Sequence, residues 1–387
     1  MTELELEVGP PAHGGHCVAR HDGRVVFVRH ALPGELVTAR IVDEGAGVLR
    51  ADAIAVVRAS ADRVPPPCPH AGPGRCGGCD WQHVEPAAQL ALKAEVVRDT
   101  LRRIGGLSDV DVVVEPLPGG PLHWRTRTQF AVDRRGRLGL RRHRSHTVEP
   151  IESCPLLVPA ADDAVRAVRQ RPPGATVEVA VSADGETVVD VRARRRRSTS
   201  TELLHERALG RRWQVHAGVF WQVHPAAADT LARAVVDMCA ASAGERMLDL
   251  YAGVGLFSWA LAREVGPAGS VVAVENDDTA CADARVNLVA EPWARVVTAD
   301  VDADMVAAHP ADVVVLDPPR AGAGAAVLTA IAQSGPRAIC YVSCDPATLA
   351  RDLRAATAAG YRLGALRAFD IFPMTQHVEC VALLHRS

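Results

Sequence analysis

Five short apolar runs at residues 247–250, 271–274, 295–298, 313–316 and 338–343 alternate with four stretches, 256–264, 278–289, 325–334 and 347–359, whose apolar residues recur at helical spacing. Such alternation leaves a chain few options, because each helix must return the next strand beside the last while covering one face of the sheet. The expected fold from residue 216 onward is therefore α/β, a doubly wound and mostly parallel sheet whose ligands bind at the carboxyl ends of the strands.

The preceding residues read differently. Short strands at 3–8, 25–30, 36–42 and 53–57, separated by Gly14-Gly15, Asp22-Gly23 and Pro33-Gly34, point to a small β-barrel over residues 1–58. Pro65-Pro66-Pro67 marks a boundary, residues 68–83 form a Cys/Gly/Pro-rich loop, and a helix is expected over 87–104, stopped by Gly105-Gly106. Polar–apolar alternation over 122–192 predicts an antiparallel sheet. The division expected is 1–58, a central α+β part at 59–215, and 216–387.

The first strand of the α/β part runs into Asp249-Leu-Tyr-Ala-Gly-Val-Gly-Leu-Phe-Ser258. Gly253 and Gly255 allow a sharp turn and close approach of a ligand at a helix N-terminus, and Glu275 ends the second strand, where a carboxylate can accept ribose hydroxyls. Ser258 stands where a dinucleotide fingerprint has its third glycine, and the fourth strand ends in Asp317-Pro-Pro-Arg320. These features favour S-adenosylmethionine over a nicotinamide cofactor.

The fifth strand ends in Tyr341-Val-Ser-Cys-Asp-Pro346, and a later strand begins at Phe372-Pro-Met-Thr-Gln-His-Val-Glu379. A thiol and a carboxylate at one sheet edge suit the methylation of uracil carbon 5. That carbon is too weak a nucleophile to attack a sulfonium until a thiolate adds at carbon 6. A base then removes the carbon-5 proton and the thiolate leaves. Cys344 is the expected nucleophile and Glu379 the expected base, with His377 as the rival. Cytosine-C5 methylation, by comparison, uses a second cysteine in the fourth-strand motif, which Asp317-Pro-Pro-Arg320 lacks, and Arg320 takes the aromatic's place in amino-nitrogen methylation motifs.

Cys68, Cys76 and Cys79, with Cys154 more distant, have metal-ligand spacing suited to zinc or to an iron–sulfur cluster; spacing does not choose between them. It does not match the tight three-cysteine motif of radical S-adenosylmethionine enzymes. The other cysteines, Cys17, Cys239, Cys281, Cys340 and Cys380, are read as space-filling.

The C-terminal segment resembles the RNA 5-methyluridine methyltransferase family. The motifs are Phe220-Trp-Gln-Val223, Asp249-Leu-Tyr through Ser258, Asp317-Pro-Pro-Arg320, Ser343-Cys-Asp-Pro-x-Thr-x-x-Arg-Asp352 and Phe372-Pro through His377-Val-Glu379. The resemblance implies a Rossmann-like class I methyltransferase fold. It also implies that Gln222, Tyr251, Glu275 and Asp317 contact cofactor or target base, with Cys344 as nucleophile and Glu379 as base. Cys-Gly-Gly-Cys with a distant Cys-Pro resembles the branch that carries a 4Fe-4S cluster, here with two extra residues in the first interval, and the N-terminal barrel resembles the OB-like TRAM domain. His224 stands where the family usually has Asn, and Ala252 replaces a frequent Cys.

An RNA partner, ribosomal RNA ahead of transfer RNA, is implied. Its target uridine must be flipped out or looped out to reach Cys344. A net charge of −3 hides the distribution: Lys93 is the only lysine among 43 basic residues, and arginines cluster at 125–127, 134–144 and 192–197, where they could track a backbone. An acidic N-terminus without an apolar run, and no stretch long enough to cross a bilayer, lead to an expected cytoplasmic location and a monomer.

Overall fold

The computed structural model describes residues 2–45, 47–192 and 201–387, so Arg194 to Arg197 of the third arginine cluster lie outside the described residues. Strands β1 (Glu3–Glu7), β2 (Pro11–Ala12), β3 (His16–His21), β4 (Arg24–Arg29), β5 (Leu36–Gly45) and β6 (Val48–Arg58) form one sheet ordered β1-β5-β6-β4-β3-β2. Alternate residues, among them Val26, Val28, Val37 and Ala39, close its core, and register shifts between β5 and β6 coil it. Strand β3 was not legible: Cys17 and Ala19 point inward, but His16, Arg20 and His21 dominate its composition.

Helix α1 (Pro86–Thr100) opens on a proline, continues through a π-helical turn at Leu101–Gly105 and stops at Gly106, where φ is +72°. Strand β7 (Val114–Pro116) follows. The middle sheet is antiparallel, as expected, with order β10-β9-β8-β11-β12 from β8 (Arg127–Val132), β9 (Leu138–Arg141), β10 (Val148–Pro150), β11 (Thr176–Val181) and β12 (Thr187–Arg192). A helix that the sequence pattern does not announce, α2 (Pro159–Ala167), covers β11 with Ala161 and Val165. The hairpin β13 (Leu203–Ala208) and β14 (Arg211–His216) leads into the α/β part.

That part is as alternating as its sequence. Helix α3 (Ala227–Cys239) precedes β15 (Arg246–Leu250), α4 (Leu256–Val265), β16 (Ser270–Glu275), α5 (Asp278–Asn287), β17 (Ala294–Thr298), α6 (Ala303–Ala307), β18 (Val313–Leu316), α7 (Gly324–Ser334), β19 (Ala338–Ser343), α8 (Pro346–Ala358), β20 (Tyr361–Asp370) and β21 (Glu379–Arg386). The eight-stranded sheet runs β17-β16-β15-β18-β19-β21-β20-β7. It is parallel from β17 to β19; β21 is antiparallel to both neighbours. One hydrophobic cluster lies on each face, the expected result for strands that are apolar throughout. Residues 86–116 belong by sequence to the middle part, yet Ala94, Val97, Leu101 and Val114 join one of these clusters, and β7 adds the edge strand beside β20.

Candidate active site

The parallel strands end at one edge. Leu250 pairs with Leu316 and Leu316 with Tyr341, so Tyr251 follows β15 and Asp317 follows β18 at the same level, while β19 runs two residues further to Ser343 before Cys344. Ser343 pairs with Cys380 across the antiparallel β19–β21 ladder. One step further, Cys344 falls opposite Glu379. Directly opposed residues on antiparallel strands bring their Cβ atoms within about 5 Å.

On the cofactor side, Glu275 receives the backbone N–H of Gly253 at 2.9 Å and those of Asn276 and Asp277 at 2.8 and 2.9 Å. It thus anchors the turn rather than merely ending its strand. The turn is held in left-handed backbone, with φ of +63° at Tyr251, +55° at Gly253 and +88° at Gly255. A Cβ at Gly253 would meet nothing within 4 Å, so this backbone faces open space. Tyr251 tolerates a conformation that favours glycine, a cost retained where a site requires it. Behind the turn, buried Asp249 accepts a 2.5 Å hydrogen bond from Ser258, while its second oxygen has no partner among the described residues. Burial pushes the Asp249 carboxyl up to about 7. The open backbone at Gly253, with Glu275 at the tip of β16 and Asp317 at the tip of β18, fits the ribose and the cationic end of S-adenosylmethionine.

On the chemical side, the half-buried Cys344 thiol is pushed up to about 11 by burial and then by the Glu379 carboxylate, with Arg320 acting the other way. Burial and the neighbouring Asp317 hold Glu379 well above the ordinary carboxylate range, again opposed by Arg320. Asp317 itself rises to about 7 through burial and Asp249. Three carboxyl groups and a thiol in one low-dielectric pocket therefore resist ionising together. Arg320 is the counter-charge to both Cys344 and Glu379, a role the sequence did not single out. His377, the alternative base, is pushed down to about 4 by burial and then Arg320, whose Nη2 lies 3.4 Å from its Nε2.

Residues distant in sequence hold the Glu379 segment. Lys93, fully buried on α1, contacts Asp370 at 2.5 Å and donates to the Phe372 carbonyl at 3.1 Å. Gln89, one turn earlier, accepts from Met374 N at 2.9 Å; Trp81 N donates to Met374 O at 3.1 Å and Gln376 N to Asp80 at 3.4 Å. The only signal for Lys93 was its uniqueness among arginines. Gln222 is half-buried on the loop after β14, which Thr126 fixes by two bonds to the Val223 carbonyl at 2.9 and 3.0 Å. His224 lies inward, stacked on Trp124 at 5.9 Å, with Nδ1 accepting from Ala226 N.

Cys68, Cys76, Cys79 and Cys154 line one small, mainly apolar pocket, together with Gln82, Arg125, Leu140 and Ile151. Gln82 donates to Cys79 Sγ at 3.2 Å and Gly78 N to Cys76 Sγ at 3.4 Å. Among the described residues no group of three or more His, Cys, Asp or Glu is arranged to hold a single metal ion. Arg125 lines this pocket and also the groove beside Phe220 and Trp221, so the cysteine pocket adjoins the loop that carries Gln222. Cys17, Cys239, Cys281, Cys340 and Cys380 are buried and free, which fits a space-filling role.

Comparison with known proteins agrees with this geometry. Residues 301–387 match the tRNA (uracil-5-)-methyltransferase family, residues 2–54 the TRAM domain and residues 212–338 the methyltransferase small domain. A Streptomyces avermitilis protein described as an uncharacterized RNA methyltransferase is 46% identical, covering 99% of this chain and 98% of its own length. The 23S rRNA (uracil(1939)-C(5))-methyltransferase RlmD of Acidithiobacillus ferrooxidans is 33% identical, with 96% and 95% covered. The Pyrococcus abyssi tRNA (uracil-54, C5)-methyltransferase, solved with S-adenosyl-L-homocysteine, shares the fold over 98% of this chain and 100% of its own, with a TM-score of 0.75 and 24% identity. With relatives this similar along nearly its whole length, the chain belongs to the S-adenosylmethionine-dependent RNA uracil-C5 methyltransferase family.

Proposed function

We propose that this enzyme methylates carbon 5 of one uridine in 23S ribosomal RNA through a covalent adduct on Cys344, with Glu379 as the base. The observation that carries the reading is the proximity of Cys344 to Glu379, one step beyond the Ser343–Cys380 pair of the β19–β21 ladder, with Asp317 beside them. Cys344 releases its proton to solvent and adds to carbon 6 as the thiolate, which places electron density on carbon 5. Bound S-adenosylmethionine supplies the electrophilic methyl group and a positive sulfonium charge. Glu379 then takes the carbon-5 proton, and the Cys344–carbon 6 bond breaks as the ring double bond re-forms. Arg320 stabilises the negative charge of thiolate and carboxylate. Glu275 fixes the Gly253 turn against the cofactor; Gln222, Tyr251 and Asp317 orient cofactor or base. His377 is too weakly basic in its setting to replace Glu379.

We further propose a 4Fe-4S cluster on Cys68, Cys76, Cys79 and Cys154. Four thiols around one pocket suit a cluster or zinc, and the resemblance of Cys76-Gly-Gly-Cys79 with the distant Cys154-Pro155 to the cluster-bearing branch favours the cluster. Methyl transfer consumes no electrons, so the cluster's part is to hold the loop 68–83. Three working parts follow, residues 1–58, 59–215 and 216–387, with 86–116 serving the catalytic sheet.

Incubation with RNA carrying 5-fluorouridine tests the mechanism, since fluorine at carbon 5 cannot leave as a proton and the adduct persists. A denaturation-resistant protein–RNA complex should form, and Cys344→Ala should abolish it while RNA binding remains. Glu379→Gln should accumulate methylated, unreleased adduct on ordinary RNA; normal turnover in that variant would refute the base assignment. Mapping 5-methyluridine in total RNA from a deletion strain identifies the substrate: a lost 23S site supports the proposal, and a lost T-loop site in transfer RNA moves it to that RNA.

A further inference from the structure

Between the N-terminal barrel and the cysteine loop lies a cleft of about 410 Å³ that the methyl-transfer chemistry does not use. Its basic lining comes from three sources: Arg29 and Arg50 on barrel strands β4 and β6, Arg75 on the cysteine loop, and Arg142 and Arg144 on the turn between β9 and β10. His16 and His143 face each other across it with ring centres 6.3 Å apart. Asp43 and Asp52 are the acidic residues of the lining and leave it an excess of positive charge.

Two of these cations have donors to spare. The Arg29 side chain is only 6% exposed and its Nη2 contacts Asp80 at 2.8 Å, but its Nε is buried and has no hydrogen-bond partner among the described residues. Arg50 Nε is in the same condition, although Nη1 reaches Asp43 at 3.4 Å. An unsatisfied buried donor costs about 1–3 kcal/mol, more when charged, so such groups signal an absent acceptor. Guanidinium forks match phosphate oxygens in geometry and charge.

The cleft wall is also tied to the catalytic edge, because Asp80 binds Arg29 and accepts from Gln376 N ahead of Glu379. His13, in the turn between β2 and β3, contacts Asp345 at 3.1 Å, and Asp345 adjoins the nucleophile. The turn that carries Arg142 and Arg144 is in turn clamped by the cysteine loop. Gly77 N donates to Arg141 O at 3.0 Å, Cys76 bridges Arg142, and a Cβ at Gly77 would lie 2.6 Å from His143 N.

We infer that this cleft is a phosphodiester-binding site which grips the RNA backbone away from the target uridine, and that the cysteine loop serves methylation by holding the Arg142–Arg144 turn in place. The inference rests on the RNA reading above. It gives the cysteine centre a task in a reaction that transfers no electrons.

The test uses the full-length protein and a fluorescein-labelled hairpin RNA with uridines in its loop. Dissociation constants are measured over a range of KCl concentrations, with S-adenosylmethionine affinity measured in parallel. Arg50→Ala/Arg144→Ala removes two exposed or half-exposed cations and should flatten the slope of log affinity against log salt by about 0.7–0.9 for each phosphate no longer neutralised. Gly77→Ala removes no charge but should flatten it too, because it forces the turn off the loop. Cofactor affinity should be unchanged in both. An unchanged salt slope in the double variant overturns the site, and one in Gly77→Ala overturns the loop's part in it. A thermal shift by inorganic phosphate beyond chloride at equal ionic strength, with the RNA slope intact, would assign the cleft to a free anion and overturn it as well. Flattened slopes without a 5-fluorouridine adduct in the wild type would keep the cleft and reject the methylation reading; an adduct with unaffected slopes would do the reverse.

Discussion

Cys344 presents a contradiction at the level of single side chains: as the proposed nucleophile it must be a thiolate, yet its surroundings push the thiol up to about 11. A raised thiol pKa means that the reactive form increases as pH rises toward that value. The rate of adduct formation with saturating cofactor should therefore climb roughly tenfold per pH unit through the neutral range, and a plateau below pH 8 would show that bound substrates lower the pKa substantially. Arg320→Ala removes the one charge that favours the thiolate and should slow adduct formation, shifting the pH profile upward. Asp345 behaves oppositely. Burial would raise its carboxyl, but the His13 contact and the Thr348 and Ala347 N–H groups it caps overcome this and hold it down to about 2. Its stabilising contribution is present above the ordinary aspartate range and lost as pH falls toward 2. Asp345→Ala should cost about 0.5–2 kcal/mol in a denaturant titration at pH 7, and the deficit should narrow in acid.

Elements differ in how far sequence reveals them. Strands β15, β16, β18 and β19 and their helices were legible because strong apolar periodicity is a local property. Strand β7 was not, since three residues acquire strand character only by pairing with β20. Helix α2 was hidden by the alternation of the sheet around it. Within the site, Cys344, Glu379, Glu275 and Asp317 were legible because each ends or begins a strand within a recognisable motif. Lys93 and Asp370 were not, because their pairing spans 277 positions and has no local signature. Burial favours the neutral form of Lys93, and Asp370 counters it. Lys93→Met would strand a buried carboxylate, a loss of about 3–5 kcal/mol, whereas Lys93→Met/Asp370→Leu should recover much of it. Urea titrations of both variants check this. If the ion pair serves to place Phe372 and the segment ahead of Glu379, the double variant should still turn over slowly despite its restored stability.

Over the whole molecule, three sequence-distant regions meet at one seam: the barrel through Arg29 and His13, the cysteine loop through Asp80, and the segment before Glu379 through Gln376. Removing the proposed cluster from the purified protein should therefore weaken RNA binding and lower the thermal midpoint while leaving S-adenosylmethionine affinity close to its starting value, since Glu275 and the Gly253 turn lie on the other half of the sheet. Loss of cofactor binding on the same treatment would contradict that division.

Strand β21, inserted between β19 and β20, has a temporal consequence. The cofactor cradle is built from strands that follow one another closely along the chain, whereas the base reaches the thiol only after β21 has entered the interior of the sheet and α1 has docked from 277 positions away. Distant closures of this kind form late. A folding intermediate could thus hold the methyl donor while having no means to complete turnover, so that chemistry begins only in molecules whose assembly has finished.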